Sequence, residues 1–167
     1  IPALQSAAAE GIKIMQYNSG LPVKADIGAI NYFGSDEYAA GFGGGKYLAE
    51  KGAKHILCHI QVPGAINLTE RCKGVTDGAA EAGAKVTILE TPPNLDGDVT
   101  GTAEALKAEF IGDQSIDAMV SCADFGAAAG ANAVEQTGID VMVSAFRRGV
   151  GVIAVQVCFQ AILPYCR

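Results

Sequence analysis

A helix that ends in an acidic residue and a glycine, followed at once by an apolar run, recurs along this chain and restricts its fold more than any other feature. The copies read AAAEGIKIMQY, LAEKGAKHILCHI, AAEAGAKVTILE and AVEQTGIDVMVSAF, with EFIGDQSIDAMVSC around Gly112 a weaker fifth. Gly11, Gly52, Gly83 and Gly138 fall just past the helices, where the backbone turns left-handed and glycine fits. Repeated helix-then-strand units predict an α/β fold, a doubly wound parallel sheet of flavodoxin-like type. Parallel neighbours need a right-handed crossover, which lays each helix on the sheet.

Residues 55–90 show the unit most fully. Residues 55–60 and 86–89 are short apolar runs with strand character, separated by a Pro63-Gly64 turn and a helix. Leu68, Cys72, Val75, Ala79 and Ala82 are spaced four, three, four and three apart, one apolar stripe. Asn67 and Glu70 have the spacing of a capping box, which predicts that the helix begins at Asn67. Ligands bind beyond the carboxyl ends of open parallel strands. The loop 61–66 and the first helical turn are therefore the predicted functional edge. Asn67 and Arg71 share a helix face there, and the planar five-donor fork of Arg71 suits a polar ligand. The alternative is a surface arginine paired with Glu70 or Glu104.

In chain order, a helix over 2–10 has Pro2 at a first helical position. A strand over 12–17 ends at the turn Asn18-Ser19-Gly20, and a second short strand covers 29–33. Ser35-Asp36 then opens a helix to about residue 50, with Tyr38, Phe42 and Ala49 inward. Gly41, Gly43, Gly44 and Gly45 lie inside it, where glycine costs about 1 kcal/mol against alanine; close packing on a sheet accounts for them. A phosphate loop does not, because GxxxxGK[ST] needs Gly at Ala40 and Ser or Thr at Tyr47. Val99, Ala103, Leu106 and Phe110 mark the next helix. A strand over 118–122 leads to Asp124, the expected N-cap of a helix over 125–136. Asp36, Asn67, Arg71 and Asp124 all follow strands or open helices, so one crevice can collect them.

The tail departs from this plan. Beyond Phe146, Arg147 and Arg148 lead into VGVIAVQVCFQAILPYCR, too short for a membrane span of about 20 apolar residues. A buried strand over 150–159 is expected. The division predicted is a partial first lobe over 1–54, a second lobe over 55–146, and an atypical apolar tail over 147–167.

Chemistry-bearing residues are few. The net charge of −6 and the lack of Lys/Arg clusters argue against nucleic acid as a partner. Five cysteines, at 58, 72, 122, 158 and 166, give an odd count without CxxC spacing, so neither a metal nor a disulfide framework is expected. Cys58 and Cys72 read as small core residues, and His55 and His59 as structural histidines on one strand face. Without an acid–base pair, an activated nucleophile or a metal constellation, the chain reads as a non-enzyme without cofactor.

The run YFGSDEYAAGFGGGKYLAEKGAKHILCHIQVPGAINLTERCKGVTDGAAEAGAKV, with Glu70-Arg71-Cys72-Lys73-Gly74 and Ala123-Asp124, resembles the sugar-binding proteins of bacterial ABC transporters, the ribose-binding type of periplasmic binding protein. The resemblance covers residues 1–146. It implies two doubly wound lobes hinged around a sugar or polyol, a periplasmic location and a membrane permease as partner. Asn18 and Ser19 then fall at ligand contacts after a first-lobe strand, Ser35 and Asp36 near the cleft, and Arg71 on the arginine that binds sugar hydroxyls. Leu95 stands where the family stacks an aromatic ring, Ala123 where it places asparagine beside Asp124, and Arg147 where it has an acid. The family begins with a strand, helix and strand before the segment matching 1–10. The chain is thus expected to be a fragment with an incomplete first lobe, its residues from 147 unrelated. Its open sheet surface is expected to drive homo-oligomer formation. The alternatives are the effector-binding core of a sugar-responsive transcriptional repressor, or a folded fragment with no ligand.

Overall fold

Two sheets organise the chain in the computed structural model, which describes the backbone of residues 1–149 and 152–158 and the side chains of residues 1–146. The first unit holds helix α1 (Pro2–Ala9) and the parallel strands β1 (Ile14–Tyr17) and β2 (Ala29–Phe33). The second holds α2 (Glu37–Glu50), β3 (His55–Ile60), α3 (Ile66–Glu81), β4 (Lys85–Glu90), α4 (Val99–Gly112), β5 (Ala118–Ser121), α5 (Phe125–Thr137), β6 (Met142–Gly149) and β7 (Val152–Cys158). Its strands lie in the order β4-β3-β5-β6-β7. The pairs among β4, β3, β5 and β6 are parallel, and β7 runs antiparallel to β6. The expected burial of the tail strand falls outside the described side chains.

The apolar pattern explains the layering. β3 and β5 are buried along their whole lengths, as internal parallel strands should be. Ile56, Cys58 and Ile60 meet Leu68, Cys72, Val75 and Ala79 of α3 on one face. Leu57 turns to the other face, where Ala103, Leu106 and Phe110 of α4 pack with Ala129, Ala133 and Val134 of α5. The four glycines that end the repeats all have left-handed backbones, φ between +69° and +111°.

Gly41 and Gly45 of the glycine run in α2 face a helix, not the sheet as expected. A Cβ on Gly41 or Gly45 would overlap the carbonyl oxygens of Arg71 and Val75, and one on Gly74 or Gly78 those of Tyr38 and Phe42. Two pairs of glycines, each four residues apart, thus let the backbones of α2 and α3 touch. The seam is flanked by the Tyr38 hydroxyl donating to Asp77 (2.9 Å) and by the Lys46–Glu81 ion pair (2.6 Å). Leu48 and Ala49 of α2 join the core of the five-stranded sheet.

Both histidines of β3 are structural, as expected. The His55 ring lies 2.8 Å from the hydroxyls of Ser115 and Thr87, and the His59 ring 3.0 Å from those of Ser121 and Thr91. Each imidazole is held between two hydroxyls. Burial pushes the pKa of His59 down to about 4, whereas an unfolded imidazole protonates near 6.5. Between those values only the unfolded chain takes the proton, so stability falls as pH drops from about 6.5 to about 4 and is level above it. The gap corresponds to about 3 kcal/mol. Urea unfolding across this range is expected to show that loss in the parent and a flatter profile in His59→Gln. A parent profile without slope would contradict it.

Candidate functional site

At the carboxyl ends of β3 and β5 the dominant feature is a buried ion pair. Arg71 rises from α3 with only 5% of its surface exposed, and Glu37, in the first turn of α2, is equally enclosed. Arg71 Nε donates to Glu37 Oε2 at 2.7 Å, Nη2 donates to the same oxygen, and Nη1 donates to the Cys122 carbonyl at 2.8 Å. The guanidinium carbon sits 5.1 Å from the centre of the Phe146 ring. Arg71 therefore binds together α2, α3, the loop after β5, and β6. It does reach the strand tips, as the helix-face reading required. It is not the surface residue paired with Glu70 or Glu104: its Nε, Nη1 and Nη2 each donate to a buried partner. Glu37 went unread in the sequence, since an acid at a helix start is amply explained by the helix dipole.

Above this pair lies a small hollow lined by Gly20, Tyr32, Asp36, Glu37, Asn67 and Glu70, among others. Its volume of about 30 Å³ admits water; ligand pockets run to about 300–1,000 Å³. The Ser19 hydroxyl lies 3.3 Å from Asn67 Oδ1 and donates to it, joining the end of β1 to the first turn of α3. Asn18 adopts a left-handed backbone (φ +67°), and its N–H donates to the Phe33 carbonyl at 2.8 Å. That conformation, uncommon outside glycine and tolerated by asparagine, makes the sharp turn at the strand end. Asp36 caps α2 by accepting from Ala39 N–H (2.9 Å). Ser35 is half-buried, its carbonyl accepting from the Tyr32 hydroxyl (3.0 Å).

Asn67 does not start its helix. The N-cap of α3 is Ala65, without a side-chain cap, so the expected capping box is absent and the Asn67 side chain turns to Ser19 instead. Asp124 does cap α5, accepting from Phe125 N–H (2.9 Å), and remains exposed. Asp124 and Leu95 do not line the hollow. Leu95 is half-buried in a turn of 3-10 helix, Pro93–Leu95, ahead of α4. The side chain of Arg147 lies outside the described residues. The structure thus gathers Ser19, Asp36 and Asn67, sets Asn18 and Ser35 beside them in the chain, and places Arg71 beneath.

Cys58 and Cys72 are disulfide-bonded, their Cα atoms 5.9 Å apart, which corrects the reading of both as plain core residues. The apolar stripe of α3 covers the face of β3 that carries Cys58, and that places the two side chains opposite each other at bonding distance. A separation of 14 residues carries no such signal in the sequence. Among the described residues, the cluster with metal-ligand spacing is Cys58, Cys72 and Cys122, all buried.

Comparison with known proteins agrees with this architecture. The family described as periplasmic binding protein domain matches residues 1–162. A carbohydrate transporter from Acidothermus cellulolyticus 11B, solved with myo-inositol, is 29% identical with a TM-score of 0.78, over 90% of this chain and 51% of that one. A solute-binding protein from Actinobacillus succinogenes 130z, with bound D-allose, is 23% identical with a TM-score of 0.63, over 82% and 49%. One from Agrobacterium vitis, bound to α-D-tagatopyranose, is 22% identical with a TM-score of 0.60, over 82% and 48%. No curated protein matches the chain in sequence. The chain spans about half the length of these solved structures. The family match runs past Phe146 to residue 162, so most of the tail expected to be unrelated lies inside it. With its parallel α/β sheet and a match over residues 1–162, the chain belongs to the periplasmic binding protein domain family.

Proposed function

We propose that this chain supplies one wall of a cleft that binds a sugar or similar polyol, without catalysis, for uptake through an ABC-type membrane permease. The observation that carries the reading is the family match over residues 1–162; the myo-inositol held by the 29% identical neighbour supports a hydroxyl-rich ligand. Asn18, Ser19, Ser35, Asp36, Asn67 and Asp124 offer the hydroxyls of such a ligand carboxylates, amides and hydroxyl groups at the strand ends. Hydrogen bonds to the ionised members are the stronger ones. Arg71 stands behind this rim and fixes the Cys122 carbonyl, two residues before Asp124. The periplasm is the proposed location, in keeping with the family. Among the described residues no helix is long and apolar enough to cross a membrane.

Met15, Tyr17, Ile30 and Phe33 on β1 and β2 are exposed. An apolar face of this kind favours self-association, and the chain is proposed to form homo-oligomers through it. A thermal-shift screen of myo-inositol and a panel of monosaccharides tests the ligand class. At least one is expected to raise the Tm in a concentration-dependent way. A panel that leaves the Tm unmoved would contradict the reading.

A further inference from the structure

Cys122 is a buried free thiol whose sulfur lies 3.7 Å from Cys72 Sγ, beside a disulfide already formed. We propose that Cys72 has two alternative disulfide partners, Cys58 and Cys122, so that the covalent link beneath the strand tips can change hands. All three sulfurs lie within 4.8 Å of one another. They come from three adjoining elements: Cys58 from β3, Cys72 from α3, and Cys122 from the residue after β5. The trio does not make a metal site. Two of its sulfurs are bonded to each other, and among the described residues no His, Asp or Glu joins the group.

The exchange needs no outside oxidant. The Cys122 thiolate attacks Cys72 Sγ, the Cys72–Cys122 bond forms and the Cys58–Cys72 bond breaks. Cys58 leaves as a thiolate and takes up the proton that Cys122 lost. A line of three sulfurs would span about 5.7 Å, given an S–S bond of about 2 Å, so the compact triangle requires the Cys122 side chain to turn before attack. Burial pushes the Cys122 thiol up to about 12, which keeps the exchange slow at neutral pH and speeds it as pH rises. The link matters because of where Cys122 sits. Its carbonyl accepts from Arg71, and the exposed cap Asp124 follows two residues later. Drawing its sulfur from 3.7 Å to bonding distance shifts that loop toward α3.

The test begins with a Cys158→Ser, Cys166→Ser background, which leaves only the three cysteines in question. Adding Cys58→Ser and incubating the protein with oxidised glutathione is expected to yield a Cys72–Cys122 disulfide in peptide maps after alkylation. Two thiols are oxidised and one glutathione disulfide is reduced to two thiols. Recovery of Cys72 and Cys122 both alkylated, or each capped by glutathione, from a variant with parental circular dichroism would overturn the proposal. Should Cys58→Ser not fold, the background protein itself decides the matter. Held at alkaline pH with a trace of reduced glutathione and then acid-trapped, it is expected to contain a fraction with Cys72 joined to Cys122 and Cys58 alkylated. A Cys58–Cys72 map unchanged over time overturns the proposal just as firmly.

Discussion

Glu37→Ala is expected to destabilise the chain by about 3–5 kcal/mol, because it leaves the Arg71 guanidinium buried without its counter-ion. Removing either partner of a buried pair exposes the other to the full desolvation penalty. Replacing both by apolar side chains of similar volume does not. Urea unfolding should therefore show a large drop in midpoint for Glu37→Ala and for Arg71→Ala, and a much smaller one for Glu37→Leu combined with Arg71→Met. Asp36→Ala, one residue earlier, removes an exposed cap and is expected to cost about 1 kcal/mol. If Glu37→Ala and Asp36→Ala shifted the midpoint equally, the pair would not be the clasp between α2, α3 and the strand tips described above.

The seam between α2 and α3 gives the second large effect. Gly45→Ala would place a methyl against the Val75 carbonyl, and Gly78→Ala one against that of Phe42. Backbone cannot turn aside as a flexible side chain can, so the helices must move apart. Such overpacking costs about 1–3 kcal/mol, occasionally more; with backbone on both sides, about 3 kcal/mol is expected for each substitution. Gly43 is the internal control. It lies in the same helix, is exposed, and a Cβ there meets nothing within 4 Å. Gly43→Ala is expected to stabilise by up to about 1 kcal/mol through helix propensity alone. Thermal unfolding of the three variants should split them by sign. A destabilised Gly43→Ala or a neutral Gly45→Ala would refute the contact.

What the sequence revealed and what it hid follow from the range of the interactions. The βα repeat, the glycines at the helix ends and the stripe Ala103, Leu106, Phe110 are local patterns with fixed periods, and all appear in the structure. The Cys58–Cys72 bond, the Glu37–Arg71 pair and the Ser19–Asn67 contact join residues 14, 34 and 48 positions apart. None of these leaves a periodic trace. The glycine run in α2 was visible, but its partner was not. Only the register of α3 shows that Gly41 and Gly45 meet the backbone of Arg71 and Val75, and Gly74 and Gly78 that of Tyr38 and Phe42. Asn67 misled for the opposite reason: its spacing to Glu70 imitates a cap, yet the helix starts at Ile66 and the amide serves a long-range contact. Arg71 lies at the end of the sheet that its helix-face spacing predicts, and its burial against Glu37 has no local signal in the sequence.

The most direct measurement is titration calorimetry with myo-inositol and the ligands found in the thermal screen, run on the parent and on Asn67→Ala. A polyol cleft built at these strand ends predicts saturable heat at a single site, with affinity about tenfold weaker, or about 1.4 kcal/mol, in the variant. No saturable heat from any ligand, or identical affinities in parent and variant, would contradict a polyol site at this rim.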